Sequence, residues 1–540
     1  MTLGEEVTIG LDLGTSGLKA VARGVHGRVV ARAQAGYPTA RPEPGASQQD
    51  PADWLTAIRA VASELAGTVP VRRWAGIGLS AMIPTLVTTD ATGAPVGAAV
   101  TWEDARADEH GEALRRLLGP EELYRRTGQW VDGRYLLPML IRLAGSDPDR
   151  VRSTAAVLGA KDYLYGWLTG EEPVTDPSTA TGFGCYDLVA GQWLGDVLAA
   201  TTDLLGQPVP ALPEVRDSGH VGRLCPQAAG ALGLPRGVPV VLGAADSVLG
   251  ALGLGVRTPG EVAYVAGTST VVLAVTDAPT PDPEHRYLLT PLAGTQGWGV
   301  EMDLLATGSS FRWLAELFGC DEAAVAGLGA IGLERDPRRA PCFLPYLAPG
   351  EQGALWDPSL TGRILGLTLH HDRADLAAAL LTGIVLESRR CLHLAARATG
   401  RTGPVRVAGA GATSTAFRRA LADASGREVL VTDPSADHSA LGAAMLAAQA
   451  LGVPGAVRSG PSAGADVPDE VPYEVVVPDP AATDAWSRRS ERHERELSTL
   501  RCDRGTGASL HQRAAGRLRG GGPDQRGRPV RWRGLGGADR

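Results

Sequence analysis

Two stretches of this chain share one pattern: "LDLGTSG", residues 11 to 17, and "YVAGTST", residues 264 to 270. Each reads as an apolar strand, a Gly-Thr-Ser turn and a second strand. A hairpin closed by such a turn aims consecutive backbone N–H groups and hydroxyls at one point, which suits an anion. From Gly14 to Gly267 the copies lie 253 residues apart (267 minus 14). The repeat constrains the fold more than any other feature. It predicts a duplicated architecture with one phosphate-gripping turn in each half.

The stretches between the turns agree with that. Short β-branched runs alternate with amphipathic Ala/Leu/Arg-rich segments, the mark of α/β layering. Strands are expected at Val7 to Leu13, from Lys19, and at Gly76 to Leu79, Val238 to Gly243, Glu261 to Ala266 and Val405 to Ala408. Helices are expected at Pro51 to Ala66, Asp104 to Leu118, Ala374 to Thr399, Thr415 to Ala424 and Ala440 to Leu451. In "SQQDPADW", Asp50 is placed to cap a helix whose first residue is Pro51. A chain of 540 residues, 44% hydrophobic, holds at least two packed cores.

Composition removes several classes of function. The net charge of -8 offers no basic surface for nucleic acid or anionic lipid. Six well-separated cysteines form no CxxC or Cys/His ligand spacing and read as free thiols of a cytoplasmic protein. The most apolar run, "GVPVVLGAADSVLGALGLGV", has Asp246 at its centre and five glycines, so it is not expected to cross a membrane. After residue 456 the composition turns to Ser/Gly/Pro/Asp, then to a charged helix near "TDAWSRRSERHERELSTL". Residues 502–540 carry nine Arg, three acids and ten Gly, and are expected to be a disordered tail.

Three places bear chemistry. Asp12 is an acid on an otherwise apolar strand just before the first turn, where it either holds Mg²⁺ beside the gripped phosphates or caps its own turn. Asp246 follows a buried-type strand and opens a Gly/Ala-rich helix. An ionised carboxylate in such company is costly unless paired or used, so it is either catalytic or a helix cap. "RVAGAGATSTAFRRALAD" reads strand, Gly-Ala-Gly, helix, which is either a close approach of backbone to an anionic ligand or a tight connection. No GxxxxGK[ST] and no dinucleotide fingerprint occurs. Only two lysines, Lys19 and Lys161, stand against fifty arginines, and one of them lies in the first hairpin.

In order along the chain, "GLDLGTSGLKA", "SQQDPADW", "AVTWEDARADE", "GAKDYLYGWLTG", "LGAADSVLGALGLG", "VAGTST", "ATGSSFRWLAEL" and "AGAGATSTAFRRALADASG" resemble the FGGY family of carbohydrate kinases. The likeness covers roughly residues 7 to 500. It implies two actin-like ATPase (ribonuclease H-like) domains with a cleft between them, divided near 248/249 and ending near 455, followed by a linker and helix to 501. It implies transfer of the γ-phosphate of ATP, with Mg²⁺, to a hydroxyl of a small sugar or sugar acid, and it admits a homodimer.

By the same resemblance Asp12 faces Mg²⁺, and Thr15, Ser16, Thr268, Gly308, Gly409 and Gly411 bind the nucleotide. Asp246 is the base that takes the proton of the attacking hydroxyl. Met82, Ile83, Trp102, Asp104 and Arg106 fall on the sugar side, together with Asp246. Departures bear on substrate rather than reaction class. Met82-Ile83-Pro84 lacks the histidine that xylulokinases and gluconokinases of the family carry. Ala410 replaces the middle glycine of the adenosine loop, and Gly350-Glu351-Gln352-Gly353-Ala354 replaces Gly-Glu-Arg-Thr-Pro. Two rival readings are a catalytically silent sugar or nucleotide sensor on the same scaffold, and an actin-like ATPase serving a protein partner.

Overall fold

The computed structural model describes residues 5–517 except 338, 349–352, 356, 358–359, 434–435 and 454–472, so Gly350, Glu351 and Gln352 lie outside the described residues. Two large mixed sheets carry the chain up to Ser487, which forms one compact unit. The first sheet is built from β1 (Val7–Leu13), β2 (Gly17–Gly24), β3 (Val29–Gly36), β4 (Trp74–Ala81), β5 (Val221–Arg223) and β6 (Pro239–Ala245). The second uses β7 (Val262–Ala266), β8 (Thr270–Thr276), β9 (Leu288–Pro291), β10 (Trp298–Leu304), β11 (Val405–Ala408), β12 (Val429–Val431) and β13 (Glu474–Val476).

The strand orders are β5-β6-β4-β1-β2-β3 and β9-β10-β8-β7-β11-β12-β13. Read from opposite ends, the six strands of the first sheet match six of the seven in the second, and only the edge strand β9 has no counterpart. In each, the strand before the Gly-Thr-Ser turn sits centrally, runs antiparallel to its hairpin partner and parallel to the strand on its other side. The duplication expected from the two turns is therefore present in the backbone. The central strands are buried almost throughout, as strands covered on both faces must be.

Helix α1 (Pro51–Thr68) packs Trp54, Ile58, Val61 and Leu65 on the first sheet, and Asp50 caps it by accepting from Ala52 N–H at 2.9 Å. Between the sheets lie α2 (Asp246–Gly253) and α3 (His438–Ala450). One apolar cluster joins these two helices to Val241 and Ala244 of the first sheet and Ala263 and Ala408 of the second. Truncating a residue such as Leu249, 0% exposed, to Ala would cost about 2–5 kcal/mol. The helices are Gly/Ala-rich because the backbones nearly touch. A Cβ on Gly442 would stand 1.9 Å from Leu249 O, and one on Gly10 of β1 1.8 Å from Ala440 O.

The apolar run at 237–256 resolves into β6 and α2, and no described helix is long and apolar enough to cross a membrane. Cys185, Cys225, Cys320, Cys342 and Cys391 are free thiols. The charged C-terminal helix spans Pro480–Arg517. It thus continues through 502–517, part of the stretch expected to be a tail without regular structure. The remainder of the tail lies outside the described residues.

Candidate active site

The β1–β2 hairpin sets the first group of side chains. Asp12 is the antiparallel cross-strand partner of Lys19 and the parallel neighbour of Ser80 on β4. Ser80 Oγ donates to Asp12 Oδ1 at 2.7 Å. Lys19 Nζ reaches Asp437 Oδ2 at 2.9 Å, while the same carboxylate caps α3 through Ala440 N–H at 2.7 Å. Burial, then the Asp437 charge, push the Asp12 carboxyl up to about 7, against the pull of Ser80 and Lys19. Burial works against the Lys19 charge, but Asp437 and Asp12 more than offset it, so its ammonium titrates above the usual lysine value.

The first Gly-Thr-Ser turn is held from behind. Gln49 Nε2 donates to Thr15 O at 2.7 Å, and Trp54 Nε1 holds Gln49 Oε1 at 2.9 Å. The "SQQDPADW" motif is thus spent on bracing the turn. Trp102 Nε1 donates to Thr15 Oγ1 at 3.0 Å, and Tyr37 donates to Gly14 O.

Asp246 is the first residue of α2. Its side chain does not cap the helix end but accepts from Ser247 N–H at 2.9 Å. Burial, with the charges of Asp12 and Glu301, holds its carboxyl well above the usual carboxylate range, and the Ser247 N–H works the other way. Two cavities meet at this residue. One, of about 800 Å³, is lined by Asp12, Lys19, Gly267, Gly409, Ala410 and Asp437, and also by Asp246 and Ser247. The other, of about 630 Å³, is lined by Thr15, Ser16, Ile83, Trp102, Thr268 and again Asp246 and Ser247.

The remaining expected site residues divide. Gly409, at φ 89° where a Cβ would stand 2.4 Å from Ala266 O, lets the chain turn into the 800 Å³ cavity. Gly308 and Gly411 line neither cavity. Gly308 N–H donates to Gly267 O at 3.2 Å, so it braces the second turn. Met82 packs its side chain into the first core, 2% exposed, and leaves Ile83 at the cavity wall.

Asp104 and Arg106 depart most from expectation. Asp104 is 1% exposed and accepts from Ser47 N–H at 3.0 Å and Arg106 Nε at 2.9 Å. Burial raises its carboxyl, but these bonds outweigh it and leave the group below the ordinary value. Neither residue lines either cavity, because the two-residue spacing lets Arg106 fold back on Asp104 and makes them a structural clamp. Their place at the wall is taken by Glu103, paired with Arg41 at 2.7 Å.

Motif reading also missed Gln129, Arg134, Glu301 and Asp303, which line the 630 Å³ cavity. The signal was present: "WGVEMDLL" places two acids two residues apart in an otherwise apolar run, which is one face of a strand.

The residues fit a magnesium nucleotide. Asp12, Glu64, Asp246 and Asp437 set four acids against Lys19 and Arg32 at the 800 Å³ cavity, a surplus that a divalent cation relieves. Among the described residues no group of three or more His, Cys, Asp or Glu cages a metal. Mg²⁺ takes one or two carboxylates and leaves its other positions to water and phosphate, and Asp12 would supply one of them.

Comparison with known proteins gives the same picture. The N-terminal domain model of the FGGY carbohydrate kinases matches residues 7–253, and the C-terminal domain model matches 262–451. The xylulose kinase of Escherichia coli (strain K12) is 31% identical over 440 residues, 81% of this chain and 89% of that one. The gluconokinase of Bacillus subtilis (strain 168) is 26% identical over 461 residues, 82% and 87% of the two chains. Among solved structures, the xylulose kinase from Rhodospirillum rubrum superposes with a TM-score of 0.80 at 29% identity, covering 92% of this chain and 99% of that one. The gluconate kinase from Lactobacillus acidophilus, at 22% identity and a TM-score of 0.80 over 92% and 98% of the chains, shares the fold. With both halves matched in order over most of its length, this chain belongs to the FGGY family of carbohydrate kinases.

Proposed function

We propose that the protein transfers the γ-phosphate of ATP to a hydroxyl of a small xylulose- or gluconate-like sugar, with Asp246 as the base. The observation that carries this reading is that Asp246 borders both cavities. A group with the nucleotide side on one flank and a hydroxyl-lined pocket on the other is positioned to serve both reactants. The acceptor hydroxyl gives its proton to the Asp246 carboxylate while its oxygen attacks the γ-phosphorus in line. The bond to the β-phosphate oxygen breaks, and ADP leaves.

The raised affinity of Asp246 for protons makes it a stronger base than an exposed aspartate. Asp12 would hold Mg²⁺, which when bound neutralises phosphate charge. Lys19 adds a cation at the same end, and the Thr15, Ser16 and Thr268 turns face the acceptor side, where the γ-phosphate must arrive. ATP is an intracellular phosphate donor, which supports a cytoplasmic site for the reaction.

The test is ADP release from Mg-ATP across a panel of ketopentoses, polyols and aldonates. One panel member should stimulate release well above the rate with ATP alone. Bound ATP with no turnover for any member would favour the silent sensor instead.

A further inference from the structure

The 630 Å³ cavity holds more acid than its role as a sugar pocket requires. Glu301 and Asp303 stand two apart on β10, on the same face of the strand, and both line the cavity beside Asp246 and Glu103. Acids are rare inside sheets and costly there unless they are paired or used. Glu301, 9% exposed, accepts from Thr290 Oγ1 at 2.8 Å. Burial and the Glu301 charge push the Asp303 carboxyl up to about 7, with Arg134 opposing.

The arginines at the same wall are already shared with carboxylates. Arg41 pairs with Glu103 at 2.7 Å, Arg134 bonds Asp132 through Nε at 3.1 Å, and Arg312 pairs with Glu322 at 3.1 Å. A substrate carboxylate is recognised by a planar guanidinium fork offered to it. Here it would have to compete with a resident acid for each fork, inside a wall that carries Glu103, Asp246, Glu301 and Asp303. Hydroxyl groups meet the opposite reception, since each can donate to one of these carboxylates.

We propose that the substrate is an uncharged polyhydroxy compound, a ketose or polyol, and that Glu301 and Asp303 receive its hydroxyls and turn away sugar acids. This rests on the kinase reading above and narrows it. Above about pH 7, where the Asp303 carboxyl is ionised, like-charge repulsion and loss of hydroxyl partners should make kcat/KM for the best neutral substrate exceed that for gluconate or xylonate by about 100-fold or more.

The experiment measures kcat/KM for xylulose, ribulose, erythritol and glycerol against gluconate and xylonate, in the wild type and in Glu301→Gln and Asp303→Asn. Both variants keep side-chain shape, and a melting curve checks that each is folded. The neutral-to-acid ratio should fall by about 10-fold or more in at least one folded variant, mainly through a higher KM for the neutral substrate. Wild-type preference for an aldonate, or a ratio that neither variant moves, overturns the inference and leaves the kinase reading standing. Silence with all six compounds in protein that binds Mg-ATP removes the kinase reading, and this inference with it.

Discussion

Ser178 Oγ accepts the backbone N–H of Ala245 at 2.9 Å, across 67 residues of chain, and so fixes the peptide that delivers Asp246. Ser178 in turn donates to Asp176 at 2.5 Å, and Asp176 lies 3.2 Å from Lys161 Nζ, which is also 3.0 Å from Asp162. The second of the two lysines thus anchors, through three bonds, the strand end that leads into Asp246. All four side chains are buried, with Lys161 1% exposed. Ser178→Ala leaves the Ala245 N–H without this partner. It should cost about 1–3 kcal/mol of stability and lower kcat more than it raises KM. Thermal unfolding together with steady-state kinetics checks both; an unchanged kcat would mean that the bond serves folding alone.

Asp12 should make the protein less stable as pH rises. Its native carboxyl titrates near 7 against an ordinary 3.8, so between these values the folded state holds a proton that the unfolded chain has lost. The contribution is intact below about pH 4 and is lost as pH rises through about 7. Asp12→Asn keeps an acceptor for Ser80 and removes the buried charge. Its Tm should exceed that of the wild type by about 2–5 °C at pH 8, with the gap closing toward pH 5, while Mg-ATP-dependent activity falls. Melting curves at the two pH values decide; a gap that widens at pH 5 would contradict the assignment.

Asp104 and Arg106 should behave as a clamp rather than as sugar ligands. Asp104→Asn strands part of the Arg106 guanidinium beside a neutral partner and should cost about 2–4 kcal/mol. Because neither side chain lines the cavities, KM for the sugar should change by less than about three-fold in the folded variant. A large rise in KM without loss of Tm would restore them to the substrate side.

Legibility followed the reach of each signal. The Asp12 turn, its copy at Thr268 and the cap at Asp50 are local patterns of strand, turn and helix start, and all three appear where the sequence places them. Asp246 was legible because a lone acid in an apolar run has few structural uses. Glu301, Asp303 and Arg134 were not, because their meaning depends on which cavity β10 and the Asp132–Arg134 turn border, a tertiary fact. Asp104 and Arg106 matched a motif by position, but short-range geometry pairs them with each other before any ligand. Lys19 and Lys161 stood out by scarcity. Each proved to hold an acid, Asp437 and Asp176, that no local pattern connects to it.

The central claim is that Asp246 is the base between two reactants. ADP release from Mg-ATP with the best substrate of the panel, compared in the wild type and Asp246→Asn, tests it most directly. The account predicts that kcat falls by about 10²–10⁴-fold in a folded variant whose ATP affinity stays within about two-fold of the wild type. Wild-type turnover by Asp246→Asn would contradict it.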